Sequence, residues 1–164
     1  MADKVIVCNA GPLIALTLVQ SLPLLGKLYG DVLVPRAVYQ EVVESGQGRP
    51  GAEELQSATW AQVVTLQTPP EPLLTHELGR GEAEVIALAS KLGADRALLD
   101  ERRARRIAEQ VYDLRVRGSA GILVAAKKAG WLSEVRPLLE TMRREGYFIS
   151  DRLLRSACTA AGET

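Results

Sequence analysis

The sequence is poor in aromatic residues: one phenylalanine, two tryptophans and four tyrosines among 164 positions. They are not interleaved with basic residues, so nothing here suggests a stacking platform for single-stranded nucleic acid. Histidine occurs once, as His76, and reads as an exposed loop residue. A lone histidine with no nucleophile elbow builds no triad. The two cysteines, Cys8 and Cys158, lack short-spaced partners, which argues against a zinc site and against a disulfide framework. Neither sign of charge is in excess, because 20 Lys and Arg balance 20 Asp and Glu. No global basic field therefore exists to draw in phosphates. Long apolar runs are missing too. The first, from Val5, is broken by Asn9, Gly11 and Pro12, too early to span a bilayer and without a basic leader region before it. The expectation is a soluble cytoplasmic protein with no membrane attachment. Gly79-Arg80-Gly81 lacks the spacing of a dinucleotide or phosphate-loop fingerprint.

What is present is apolar bulk and rhythm. Hydrophobic residues make up 47% of the chain, enough to build one core without covalent staples, and the length suits a single domain over 1–164. Short apolar runs at 5–8, 32–34, 61–66, 97–99 and 114–116 read as strands. Between them lie helical patterns at 13–19, 22–29, from Pro35 on, at 79–92, 101–110, 119–129, 132–145 and 151–160. Pro12 suits a first helical turn, and Ser150 or Asp151 a helix cap. Residues 68–72 carry three prolines and read as an internal linker. Continuous apolar strands alternating with helices predict an α/β protein, its central, mostly parallel sheet covered by helices on both faces.

In such a sheet, ligands bind beyond the carboxyl ends of the strands. Asn9 ends the first strand and Asp100 follows the fourth; Glu41 lies on the helix after the second. Glu82 and Glu84 open the Gly79 helix near the same edge. An oxygen-rich set of this kind suits Mg²⁺ or Mn²⁺, which can activate water and stabilise charge on a phosphodiester. Each position also has a structural reading. Asp100 would cap the next helix equally well, and Glu82 and Glu84 are favoured in a first turn by the helix dipole. Residues two apart on a helix diverge, so one of that pair is expected to face the site. Glu41 also reads as a solvated helix residue, and Asn9 as a loop cap.

The ordered motifs Val-Ile-Val-Cys-Asn-Ala-Gly-Pro-Leu-Ile-Ala-Leu (5–16), Pro-Arg-Ala-Val-Tyr-Gln-Glu-Val (35–42), Gly-Arg-Gly-Glu-Ala-Glu-Val-Ile-Ala-Leu-Ala (79–89), Leu-Leu-Asp-Glu-Arg-Arg-Ala-Arg (98–105) and Arg-Gly-Ser-Ala-Gly-Ile-Leu (117–123) resemble PIN domains, in particular a prokaryotic subgroup described as nucleic-acid-binding. The resemblance implies a three-layer α/β/α sandwich and a metal-dependent endoribonuclease, often a dimer and the toxin of a toxin–antitoxin pair. Carried over by position, it makes Asn9, Glu41, Glu82 or else Glu84, and Asp100 the metal ligands, with Glu41, Glu82 and Asp100 as the catalytic acids. Two positions depart from that pattern. The first acid is the neutral Asn9, and the small hydroxyl residue often found two positions later is Gly11. Losing a charge at ligand range removes several kcal/mol of attraction at an effective dielectric near 20.

The densest basic run, Arg102-Arg103 and Arg105-Arg106, begins two residues after Asp100. Arg102 and Arg103 are the candidates for gripping RNA phosphates, although an exposed helix face explains such a run equally simply. The sequence thus supports a PIN-type ribonuclease with RNA and an antitoxin as partners. The alternative is a catalytically weakened PIN module that binds RNA or protein without cutting. A structural homodimer, packed through the apolar tail from Leu132 to Ala160, is a third reading.

Overall fold

A computed structural model describes residues 4–164. Five strands form one sheet: β1 (Ile6–Cys8), β2 (Val32–Pro35), β3 (Ala61–Val64), β4 (Arg96–Leu98) and β5 (Val116–Arg117). Their order is β3-β2-β1-β4-β5, and every pairing is parallel. Successive strand residues face opposite sides of a sheet, and Ile6, Val7 and Cys8 are all fully buried. Both faces of β1 are therefore covered, which is why these strands read as unbroken apolar runs rather than as alternating ones.

The helices are α1 (Ala10–Leu18), α2 (Leu24–Tyr29), α3 (Arg36–Tyr39), α4 (Ala52–Gln56), α5 (Pro72–Glu77), α6 (Arg80–Leu92), α7 (Arg102–Gln110), α8 (Ser119–Lys128), α9 (Arg136–Arg144) and α10 (Asp151–Ala160). The chain is a three-layer α/β/α sandwich. α6 lies across β1, β2 and β4, while α8 packs against α1, α2 and α10. Its length and register follow from sequence: Val85, Ile86 and Ala89 bury one face, and Gly93 ends the helix in a left-handed conformation (φ 61°). α3 runs on as a π-helical turn, Gln40–Glu44, which keeps Val42 and Val43 buried and carries Glu41 outward. Such turns recur at functional sites.

Several elements differ from the sequence expectation. The segment after the proline cluster is not all linker: Pro72 opens α5, its missing N–H tolerated in the first turn, and exposed His76 lies on that helix rather than in a loop. The expected helix 132–145 begins only at Arg136, because Pro137 fits a first turn and would break a helix interior. The last strand sits at Val116–Arg117, where Ala97 and Leu98 pair with it, rather than at 114–116. The tail's apolar residues Leu139, Met142, Leu154, Ala157 and Cys158 are buried within this chain, so they are already spent on its own core. Among the described residues no helix is long and apolar enough to cross a membrane.

One clamp fixes the C-terminal helices. α9 starts without a side-chain cap of its own, and Glu163 serves instead, accepting from the Val135 and Arg136 N–H groups at 2.7 and 3.0 Å and from Lys127 Nζ at 2.9 Å. The Lys127 bond first, then the two N–H groups, hold its carboxyl down at about 2. A depressed carboxylate stabilises the fold above its unfolded value of 4.5, and that stability fades as pH falls from there through 2. Glu163→Gln is expected to lower Tm at pH 7 by about 2–4 °C. The gap between variant and parent should narrow in thermal melts taken at pH 3.

Candidate metal and nuclease site

The strand order reverses at the centre of the sheet. From β1 the chain steps outward to β2 and β3, then returns to the other side of β1 for β4 and β5. The crevice at such a switch point is where α/β sheets bind ligands. Asn9 leaves β1 there, its N–H bonded to the Leu98 carbonyl at 3.0 Å, and Asp100 leaves β4 beside it. Asn9 is buried, at 7% exposure, whereas Glu41 is exposed and Glu82 and Asp100 are half-buried.

Gly81 shows how tightly these groups converge. A Cβ built on it would lie 3.3 Å from both Asn9 Oδ1 and Glu41 Oε1. Two oxygens from distant parts of the chain thus meet over a glycine that leaves them room. Glu82, the next residue, reaches back to accept from the Gly79 N–H at 3.2 Å. Burial pushes its carboxyl up, and the charges of Glu101 and Glu41 push it further against the pull of that hydrogen bond.

The choice between Glu82 and Glu84 is made by hydrogen bonding. Glu84 points to the other side, where its Oε1 accepts from the Ala37 N–H at 3.0 Å in the first turn of α3, with Arg80 Nε 3.8 Å away. Its Oε1 thus serves the first turn of the helix that leads to Glu41, a role Glu82 does not share. Asp100 is likewise no helix cap. Glu101 does that work on α7, accepting from the Arg103 and Ala104 N–H groups at 3.0 and 2.8 Å. Asp100 instead accepts from the Ser119 N–H at 2.6 Å and from the Ser119 and Tyr147 hydroxyls.

Ser119 and Tyr147 were not among the residues singled out by sequence. Ser119 lies in the 117–123 motif but gave no sign of its role. Tyr147 stands 47 positions from Asp100, beyond any local pattern. Gly11 explains the arrangement: a Cβ there would fall 2.9 Å from the Tyr147 hydroxyl and 3.4 Å from Asp100 Oδ2. Tyr147 thus brings a hydroxyl to the place a side chain at position 11 would fill. Burial, then the Asp100 charge, drive the Tyr147 hydroxyl well above its usual range, so it stays a donor. Cys8, fully buried beneath, is also pushed well up by burial and by Asp100, which rules out a ready thiolate.

Arg102 lines the groove that opens from this edge, together with Arg105 and Arg106. Arg103 does not; its guanidinium pairs with Glu77. Helical spacing turns it to the other side of α7.

The donor set is all oxygen, which suits a hard divalent cation. Among the described residues no three His, Cys, Asp or Glu side chains stand close enough together to hold a metal ion. Mg²⁺, however, keeps most of its waters and takes one or two protein carboxylates with substrate phosphates completing the shell. The residues fit an ion held in that sparse way, through Asn9 and Glu41 over Gly81 with Glu82 alongside, and not a closed protein cage. Gly81→Ala tests the cradle. The variant is expected to fold, with the gain in helix propensity offset by crowding against Asn9, Glu41 and Val38, and to bind Mn²⁺ about tenfold more weakly by calorimetric titration.

Residues 5–163 match a family model described as a PIN domain. No curated protein and no solved structure matches the chain. A family match over nearly the whole length assigns the nuclease-type fold: the chain belongs to the PIN domain family.

Proposed function

We propose that this protein is a divalent-cation-dependent endoribonuclease, with Asn9, Glu41, Glu82 and Asp100 at its centre. The observation that carries the reading is that Asn9 Oδ1 and Glu41 Oε1 both face the space left by the missing Gly81 side chain, at the sheet's switch point and along an open groove. Mg²⁺ or Mn²⁺, when bound, supplies positive charge that attracts a scissile phosphate and stabilises the charge it gathers. The chain's residues do the rest. Asn9 and Glu41 offer oxygens. Glu82, whose carboxyl burial pushes up from its ordinary range, is the candidate to take a proton from the attacking water. Asp100 is held in one orientation by Ser119 and Tyr147, so its charge is fixed before substrate arrives. Uncontrolled RNA cleavage calls for a partner that restrains the enzyme, which is the setting of a toxin with its antitoxin.

Cleavage of single-stranded RNA in Mn²⁺ is expected to disappear with EDTA and to fall by about two orders of magnitude in Asp100→Ala. Activity indifferent to both would remove the proposed centre.

A second reading has its own support. Asn9 is neutral, no three acidic side chains among the described residues cluster to hold a metal, and Asp100 already has three donors within the chain. These features favour a module that binds RNA or protein with little or no cutting. Asn9→Asp separates the two: cleavage that arises only in this variant identifies the natural protein as the weakened form, while cleavage by the parent supports the enzyme.

A further inference from the structure

The groove that begins at the acidic edge continues between α7, α8 and α10 and encloses about 1840 Å³. Small-ligand pockets measure roughly 300–1,000 Å³, so this space suits a polymer better than a metabolite. Its walls beyond Asp100 carry Arg102, Arg106 and Arg152, none of which forms an ion pair with a described residue. On the rim stands Phe148, the chain's one phenylalanine, which is 85% exposed.

A single exposed apolar side chain is ordinarily unremarkable. Here the surrounding segment makes it otherwise. Tyr147 is pinned on both sides, its N–H bonded to the Met142 carbonyl at 2.9 Å and its hydroxyl to Asp100. Ile149 is buried in the core, and Ser150 caps α10 by accepting from the Leu153 N–H at 3.0 Å. Residues 147, 149 and 150 are thus each tied into the fold, and Phe148 between them has its ring left in water. The ring is held in place by its neighbours without being used by the core. The adjacent Tyr147 reaches Asp100, while the Phe148 ring lines the same groove farther from the candidate centre.

We propose that Phe148 is a base-stacking platform: it seats one unpaired base of an RNA strand that lies along the groove leading from the centre. The inference rests on the ribonuclease reading and adds to it a specificity residue and a preference for unpaired strands. Every base has a π-face, so an aromatic ring binds any of them, while the free guanidiniums track the backbone. A protein partner would want a wider apolar surface than this groove offers, where Leu153 is the other exposed large apolar side chain. A base-paired strand cannot present a base face to the ring, so duplexes should bind less well.

The test uses the full chain in EDTA, so that binding is read without cleavage, and a single-stranded RNA oligonucleotide bearing one 2-aminopurine. The parent should quench the fluorescent base on binding. Phe148→Ala should fold normally by circular dichroism, lose the quench and bind about tenfold more weakly by anisotropy. Phe148→Trp should restore both. An oligonucleotide with an abasic site at the stacked position should bind the parent as weakly as the intact one binds Phe148→Ala, with no further loss in the variant.

If the parent binds RNA, and Arg102→Ala with Arg106→Ala weakens it, yet Phe148→Ala binds and quenches like the parent, stacking is overturned and the ribonuclease reading stands. If the parent binds no RNA in EDTA and neither binds nor cleaves it in Mn²⁺, that reading falls and the platform with it. If Phe148→Ala instead turns a dimer into a monomer in sedimentation while RNA binding is unmoved, the ring belongs to a protein interface and the proposal is overturned.

Discussion

The hydrogen bond from the Asn9 N–H to the Leu98 carbonyl is the last rung between β1 and β4, and the site is assembled around it. It places the ends of two strands side by side although they lie some ninety residues apart in the chain. One strand further out, the Leu99 N–H bonds to the Arg117 carbonyl and brings Gly118 and Ser119 level with Asp100. On the other side, β2 delivers α3 and the π-helical turn with Glu41. A one-residue slip of β1 against β4 would turn every side chain to the opposite face and scatter these groups. The buried Ile6, Val7, Ala97 and Leu98 hold the register, because each would have to leave the core for the slip to occur.

Around that frame, the acids are managed individually rather than pooled. Glu82 accepts from the entry of its own helix, Glu84 from the start of α3, Glu101 from the start of α7, and Asp100 from Ser119 and Tyr147. Helix starts carry free N–H groups and a partial positive charge, so a carboxylate placed there is stabilised without a counter-ion. Of these neighbouring carboxylates, Glu41 is the one that accepts no hydrogen bond from a described residue, and the side chain across Gly81 from it is a neutral amide in place of another acid. Repulsion is thereby relieved within the protein. The same economy leaves less negative charge for a cation, which is why a sparse, water-rich shell is the arrangement these residues fit.

Glycine governs the close approaches. Gly11 and Gly81 each stand where a Cβ would press on site oxygens, and Gly118 stands where it would come within 2.8 Å of Asp100 Oδ1 and 2.7 Å of Arg105 Nη1. None of the three has the positive φ that demands glycine, so conformational freedom is not the reason for them. The missing side chain is. Gly11 in particular is matched by Tyr147, whose hydroxyl arrives from the segment between α9 and α10 and takes up the space beside Asp100.

By itself the sequence determined the layered fold, because doubly buried strands must be continuously apolar and the helices between them must show a 3.6-residue face. It also determined the edge at which Asn9, Glu41, Glu82 and Asp100 gather, since parallel topology sends all strand ends the same way. Tertiary structure alone decided which acids do what. Whether Asp100 or Glu101 caps α7, and whether Glu82 or Glu84 turns to the site, depends on N–H groups supplied by α3, α7 and Ser119. Those donors lie close only after the sheet has formed. The scarcity of aromatics spoke against an interleaved stacking surface, but composition does not record exposure. That Tyr147 is turned inward to Asp100 and Phe148 outward to water was set by the core around Ile149 and the cap at Ser150, which fix the path of the chain between α9 and α10.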